Sequence, residues 1–350
     1  MGIGLACGLA LLAGCAQAPP VVVHGPELTV RCADEMRGRA LGLHAQTLVA
    51  SARQLLGSQR PLPSTWPEVW LVPGLEVPGL PPGAHAEGAI ERDREGRPRR
   101  IVVHLGRSDA LALETLVHEV VHALEPPGSR LPALLEEGLA DWVGDRLVPE
   151  AGIGLRRLEA ATLYGGIDLA ISGRGLRGTL RLEPTGQPVP LRELLRFEEA
   201  RSLYDAAGDD GRDQGLGLTY GAGWFLVDRI LERCGLDGHS GRGLRPGLRS
   251  ANSVQAVLER AGIADEAELS AQAALALVAR PDGLRRLIED LAHDIAAALV
   301  APVREAFRGQ VPPLPRFLEL EPVLGLQGVG VPIAACPRLC AALRLRWPTR

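Results

Sequence analysis

The chemistry in this chain is concentrated in one stretch, Glu114-Thr115-Leu116-Val117-His118-Glu119-Val120-Val121-His122-Ala123-Leu124. Leu113, Leu116, Val117, Val120, Val121 and Leu124 recur at the spacing of one buried helical face, so the stretch reads as an amphipathic helix. Residues four apart on a helix lie on the same face. His118 and His122 therefore project side by side, close enough for both imidazoles to reach one metal ion. Zinc favours imidazole nitrogen, and a catalytic zinc keeps three protein ligands and a water. Glu119 points obliquely toward the same space and is suited to take a proton from that water as general base. The plainer alternative is a histidine pair that caps a buried apolar face and binds nothing.

A third ligand has to come from another element. After Pro126-Pro127-Gly128, the stretch Leu131–Trp142 reads as a second helix, and so short a turn lets it pack back with a carboxylate opposite the histidines. Within it, Pro132-Ala133-Leu134-Leu135-Glu136-Glu137-Gly138-Leu139-Ala140 resembles the Pro-x-Trp-Leu-x-Glu-Gly-x-Ala helix of a broad bacterial group of gluzincin metallopeptidases, with Leu134 where tryptophan is common. The resemblance implies Glu137, not Glu136, as the third ligand, zinc as the cofactor and peptide-bond hydrolysis as the reaction. Helical spacing agrees. Asp141 follows Glu137 by four residues on the same face, placed to accept a hydrogen bond from a ligating imidazole, whereas Glu136 has Ala140 there.

The resemblance extends over about residues 60–235. Leu218-Thr219-Tyr220-Gly221-Ala222-Gly223-Trp224 opens an apolar helix similar to the one that follows the zinc site in that group, which implies Tyr220 as a donor to the oxyanion of a tetrahedral intermediate. A tyrosine anchoring the helix by its ring is the alternative, and His239 is a weaker rival for the donor role. In that superfamily an edge strand holds the peptide by strand addition, and Gly88 and Ala89 would suit close approach of a substrate backbone. The spacer from His122 to Glu137 is short for gluzincins, and the Gly-x-Met-x-Asn strand of the superfamily's aminopeptidases is absent. The expectation is a zinc-dependent peptidase acting on a peptide or protein. The alternative is a tethered binding or structural lipoprotein that keeps the fold without catalysis.

The elements around these residues predict an α+β fold: a small mixed sheet packed on the His-Glu-x-x-His helix, then a mainly helical C-terminal part. A helix is expected over about 33–57, with Leu41, Leu48 and Leu55 one heptad apart, and a short strand over Pro67–Pro73. His85–Ile90 and Arg100–Leu105 are expected to pair, and Ser108 or Asp109 to cap the metal helix. Asp205–Gly217 reads as a flexible acidic loop near the cleft, and Leu284–Val303 as part of one helix. Beyond Pro312 helical periodicity fades. The expected organisation is a leader over 1–14, a tether over 15–30, an α/β part over 31–128, a helical part over 129–305 and a Pro/Gly-rich segment over 306–350.

The apolar run at residues 1–15 is too short to span a bilayer as a helix. It ends in Leu12-Ala13-Gly14-Cys15, which resembles the lipobox of bacterial lipoprotein signal peptides. That resemblance implies an exported protein anchored to a membrane by lipid on Cys15. No Lys or Arg precedes the run, which leaves open an upstream start or an ordinary apolar terminus, while Ala6 disfavours N-myristoylation. Export would leave Cys32, Cys234, Cys336 and Cys340 in an oxidising compartment, with no pairing chosen by sequence. The net charge of −4, with every basic side chain an arginine, gives no electrostatic support to a nucleic-acid partner.

Overall fold

The structure, a computed structural model, describes residues 21–57, 66–73, 88–95, 97–105, 108–125, 131–162, 166–172, 175–181, 208–236, 244–248, 253–280, 282–320, 323–326 and 329–348. In chain order the elements are β1 (Val21–His24), β2 (Thr29–Cys32), α1 (Glu35–Leu55), β3 (Glu68–Pro73), β4 (Gly88–Arg92), β5 (Pro98–Leu105), α2 (Asp109–Ala123) and α3 (Ala133–Leu147). There follow α4 (Ile153–Ala161), β6 (Gly166–Ser172), β7 (Gly175–Arg181), α5 (Gly208–Arg233), α6 (Arg245–Leu248) and α7 (Val254–Ala261). The chain closes with α8 (Glu266–Val278), α9 (Gly283–Asp290), α10 (Ala292–Ala306), α11 (Leu314–Glu319), β8 (Val323–Leu326), β9 (Val329–Pro332) and α12 (Pro337–Arg346). The fold is α+β. Among the described residues, no helix is long and apolar enough to cross a membrane.

Two units divide these elements: Met1–Gly154 with Leu226–Ala261, and Leu155–Phe225 with Gly262–Arg350. The first holds a five-stranded mixed sheet of order β1-β2-β3-β5-β4. Its central strands β2, β3 and β5 run parallel, and β1 and β4 close it as antiparallel edges. Val30, Val69, Ile101 and Val103 are fully buried, as expected of β-branched residues covered by helices. The turn after β1 is tied down by Gln46 of α1, whose Oε1 accepts from the Glu27 and Leu28 amides while its Nε2 donates to the Leu28 carbonyl.

α2 begins where Ser108 caps it, the hydroxyl accepting from the Leu111 amide. Its apolar stripe of Leu116, Val117, Val120 and Val121 is buried against β4, β5, α1 and α3. α3 starts after Pro132 and buries Leu134, Leu135, Leu139 and Val143. The expected boundary at 128/129 would separate these two helices; the structure keeps both in one unit.

The second unit contains the β6–β7 and β8–β9 hairpins and helices α8 to α12. Its core includes Leu287, Ile295, Leu299, Leu339 and Leu343, and Phe317 stacks on Trp347 at 4.6 Å.

Three expectations differ from the structure. Where a loop was expected over Asp205–Gly217, α5 runs from Gly208. No proline falls within its span to interrupt it. The helix expected over Leu284–Val303 breaks at Leu291, whose amide closes the last turn of α9 before α10 begins. Beyond Pro312, α11 and α12 form where the sequence looked irregular. Pro315 and Pro337 lie in their first turns, where a missing N–H costs nothing. Leu191–Ala200, whose apolar spacing reads as a short amphipathic helix, lies outside the described residues, as do His85 and the lipobox.

Candidate metal centre

α2 presents His118 and His122 one turn apart, and α3 brings Glu137 against both. The two Nε2 atoms are 3.1 Å apart, and Glu137 Oε2 lies 3.2 Å from His118 Nε2 and 3.3 Å from His122 Nε2. Ligands about 2.0–2.1 Å from a tetrahedral zinc lie about 3.3 Å from one another. The triangle of donor atoms has that edge length, and all three donors are of the kinds zinc prefers, so these residues fit the ion.

The first imidazole is fixed from behind. His118 Nδ1 is 2.9 Å from Asp141 Oδ1, and Asp141 is buried. A proton held on Nδ1 leaves Nε2 with its lone pair toward the triangle. Glu114, one turn before His118, joins Asp141 on that side. The close approach of α3 to α2 there depends on Gly144: a Cβ on it would come within 2.5 Å of Glu114 Oε1.

Glu119 is not part of the triangle. It faces the edge strand, where a Cβ on Gly88 would stand 3.2 Å from Glu119 Oε1 and 2.6 Å from the Thr115 methyl carbon. The missing side chain thus lets the backbone of β4 run beside the carboxylate. Burial pushes the Glu119 carboxyl up, and the two imidazoles partly offset this.

The charges of the cluster act on one another. Burial disfavours protonated imidazoles, but Glu137 and Glu136 outweigh it for His122, raised to about 10, and Asp141 and Glu137 outweigh it for His118. Burial also opposes an ionised Glu137, yet His122 and His118 hold it well below the usual carboxylate range. The cluster therefore holds protons that a divalent cation would displace.

Behind His122 lie Glu136, weighed from sequence only as a ligand, and groups that the sequence did not point to. Glu136 Oε1 is 3.5 Å from His122 Nδ1, and the Glu125 carboxyl neighbours Glu136. Arg245, buried, donates from Nη2 to the Val121 carbonyl at 3.0 Å, and Arg92 donates to the His122 carbonyl at 3.4 Å. Arg245 stands 124 residues from Val121, a separation that carries no local sequence signal.

Of the residues singled out from sequence, the structure brings together His118, Glu119, His122, Glu137 and Asp141. Tyr220 belongs to the second unit, half-buried, with the Arg157 guanidinium 4.7 Å from its ring centre. His104 is a buried residue of β5, and His239 and Cys15 lie outside the described residues. Cys32, Cys234, Cys336 and Cys340 form no disulfide. No known protein family, characterised protein or solved structure matches the chain.

Proposed function

We propose that the chain is a zinc-dependent peptidase of the gluzincin type. One observation carries the reading: two imidazoles and a carboxylate meet at zinc-ligand spacing, with a non-ligating glutamate between them and an edge strand. His118, His122 and Glu137 would hold the ion, and Asp141 would fix the first imidazole. Zinc, when bound, supplies a Lewis acid and lowers the pKa of water. Glu119 takes the proton of the attacking water and passes it to the leaving amine. β4 is the edge strand among the described residues and would pair with an extended peptide, and Gly88 lets its backbone run close to Glu119. The role of Tyr220 as oxyanion donor rests on the resemblance alone. So do export and anchoring to a membrane through lipid on Cys15.

Metal content of the purified protein tests this reading, beside His118→Ala and Glu137→Ala. Near-stoichiometric zinc in the parent, lost in both variants, is expected, together with cleavage of a peptide library that Glu119→Gln abolishes. A parent that takes up no zinc even after loading would sink the enzyme and leave a tethered binding lipoprotein. Cleavage of free but not N-blocked peptides would identify an aminopeptidase.

A further inference from the structure

Glu136 and Glu137 are neighbours in sequence and stand on opposite sides of one imidazole. Successive residues on a helix diverge by about 100°, so adjacent carboxylates on α3 cannot reach the same point. Glu137 Oε2 meets the Nε2 atoms at 3.2 and 3.3 Å, while Glu136 Oε1 meets His122 Nδ1 at 3.5 Å. The two nitrogens of an imidazole face away from each other, so a carboxylate on Nδ1 cannot also bind the ion held by Nε2. The Glu125 carboxyl, just beyond the C-terminal end of α2, neighbours Glu136. The positive charge of Arg245 acts on both carboxyls, and its Nη2 holds the carbonyl of Val121, beside His122. Buried charges persist only when paired and hydrogen-bonded, and here an arginine, two carboxyls and an imidazole supply one another.

We propose that Glu136 is a positioning residue for His122: with Glu125 and Arg245 behind it, it holds Nδ1 of the second imidazole as Asp141 holds Nδ1 of the first. The inference rests on the zinc reading above. Each ligating histidine then has its own carboxylate, from consecutive turns of α3, and the α3 sequence Glu136-Glu137-x-x-x-Asp141 encodes one ligand and two braces. The sequence alone weighed Glu136 only against Glu137 as a ligand, with Ala140 rather than a carboxylate one turn on; its place behind His122 gives it a different task.

Zinc affinity by chelator competition, with the Co²⁺ ligand-field spectrum and the melting temperature of the metal-free protein, tests the proposal. Glu136→Ala is expected to weaken zinc binding about ten- to a hundredfold, the usual effect of removing such a partner. Cobalt bands should shift but persist. Glu136→Gln, whose amide oxygen still accepts from Nδ1–H, should recover most of the loss. Parent-like affinity in Glu136→Ala overturns the proposal. Loss of metal and of the cobalt bands as complete as in Glu137→Ala also overturns it, by making Glu136 a ligand. Histidine-ring ¹⁵N–¹H spectra of the zinc-loaded parent give a readout that no variant's folding can obscure: slowly exchanging Nδ1 protons on both ligating histidines are expected, and one on His118 alone is the contrary result. A parent that binds no zinc removes the underlying reading instead, a failure distinct from zinc binding that ignores Glu136.

Discussion

In the first unit Glu125 is pushed up to about 7 by burial and by neighbouring Glu136; in the second, Asp290 is pushed up to about 7 by burial and by neighbouring Glu159. Arginines answer both pairs. Arg245 acts on Glu125 and Glu136, while Arg286 bonds Glu159 at 2.8 Å and Arg338 reaches Asp290 at 3.4 Å. The company differs. Glu136 touches an imidazole whose other nitrogen belongs to a donor triangle, whereas among the described residues no metal-holding group of His, Cys, Asp or Glu forms around Asp290. A perturbed carboxyl is a sign of function only when convergent donors accompany it. Burial near another acid is enough to produce the shift, and the second unit shows that case.

The contrast between the two acid pairs sets the order of expected effects. The largest falls on Glu119, beside the triangle: Glu119→Gln should cost about 10²–10⁴ in peptide hydrolysis while zinc content stays at the parent value, read by metal analysis and turnover together. Retained hydrolysis would take the base away from Glu119. Next, Asp141→Ala should weaken zinc about ten- to a hundredfold in a chelator titration, and Asp290→Asn should leave zinc affinity unchanged. An equal loss in both variants would erase the difference between the units. Gly88→Val drives atoms into Thr115 and Glu119 and should lower stability by about 1–3 kcal/mol, with hydrolysis falling further than the melting temperature alone explains.

The smallest effect belongs to the second pair. Asp290 has a folded-state pKa raised above its unfolded value, so its contribution to stability is fully present at acid pH and lost as pH rises through about 7. Asp290→Asn should flatten the fall in melting temperature between pH 5 and pH 8 (read by circular dichroism, with wild type alongside). An unchanged slope would dissociate Asp290 from that fall.

How much of this was legible in the sequence depended on the distance over which each contact is encoded. Helix α2 was readable because the pattern of its apolar face, its histidine pair and the Ser108 cap all lie within a few turns. The meeting of Glu137 with the histidines was readable once α3 was recognised, since the four-residue step from Glu137 to Asp141 fixes which face meets them. The pairing of β4 with β5 followed from two β-rich runs across a polar turn. Arg245 was not readable, because nothing local to a four-residue helix reports a carbonyl 124 residues earlier. The helical start of α5 was hidden by glycines and acids that favour loops by composition but stand at a helix N-terminus. The prolines of α11 and α12 misled in the same way, breaking a helix only when they fall beyond its first turn.

Trp142 donates its indole N–H to Asp228 at 2.8 Å, a contact that joins α3 to a segment 86 residues later. All three candidate ligands lie before Gly154, yet Asp228 and Arg245 belong to the part of the first unit that returns only at Leu226. A growing chain therefore completes every candidate ligand well before it has made the residues that steady α2 and α3.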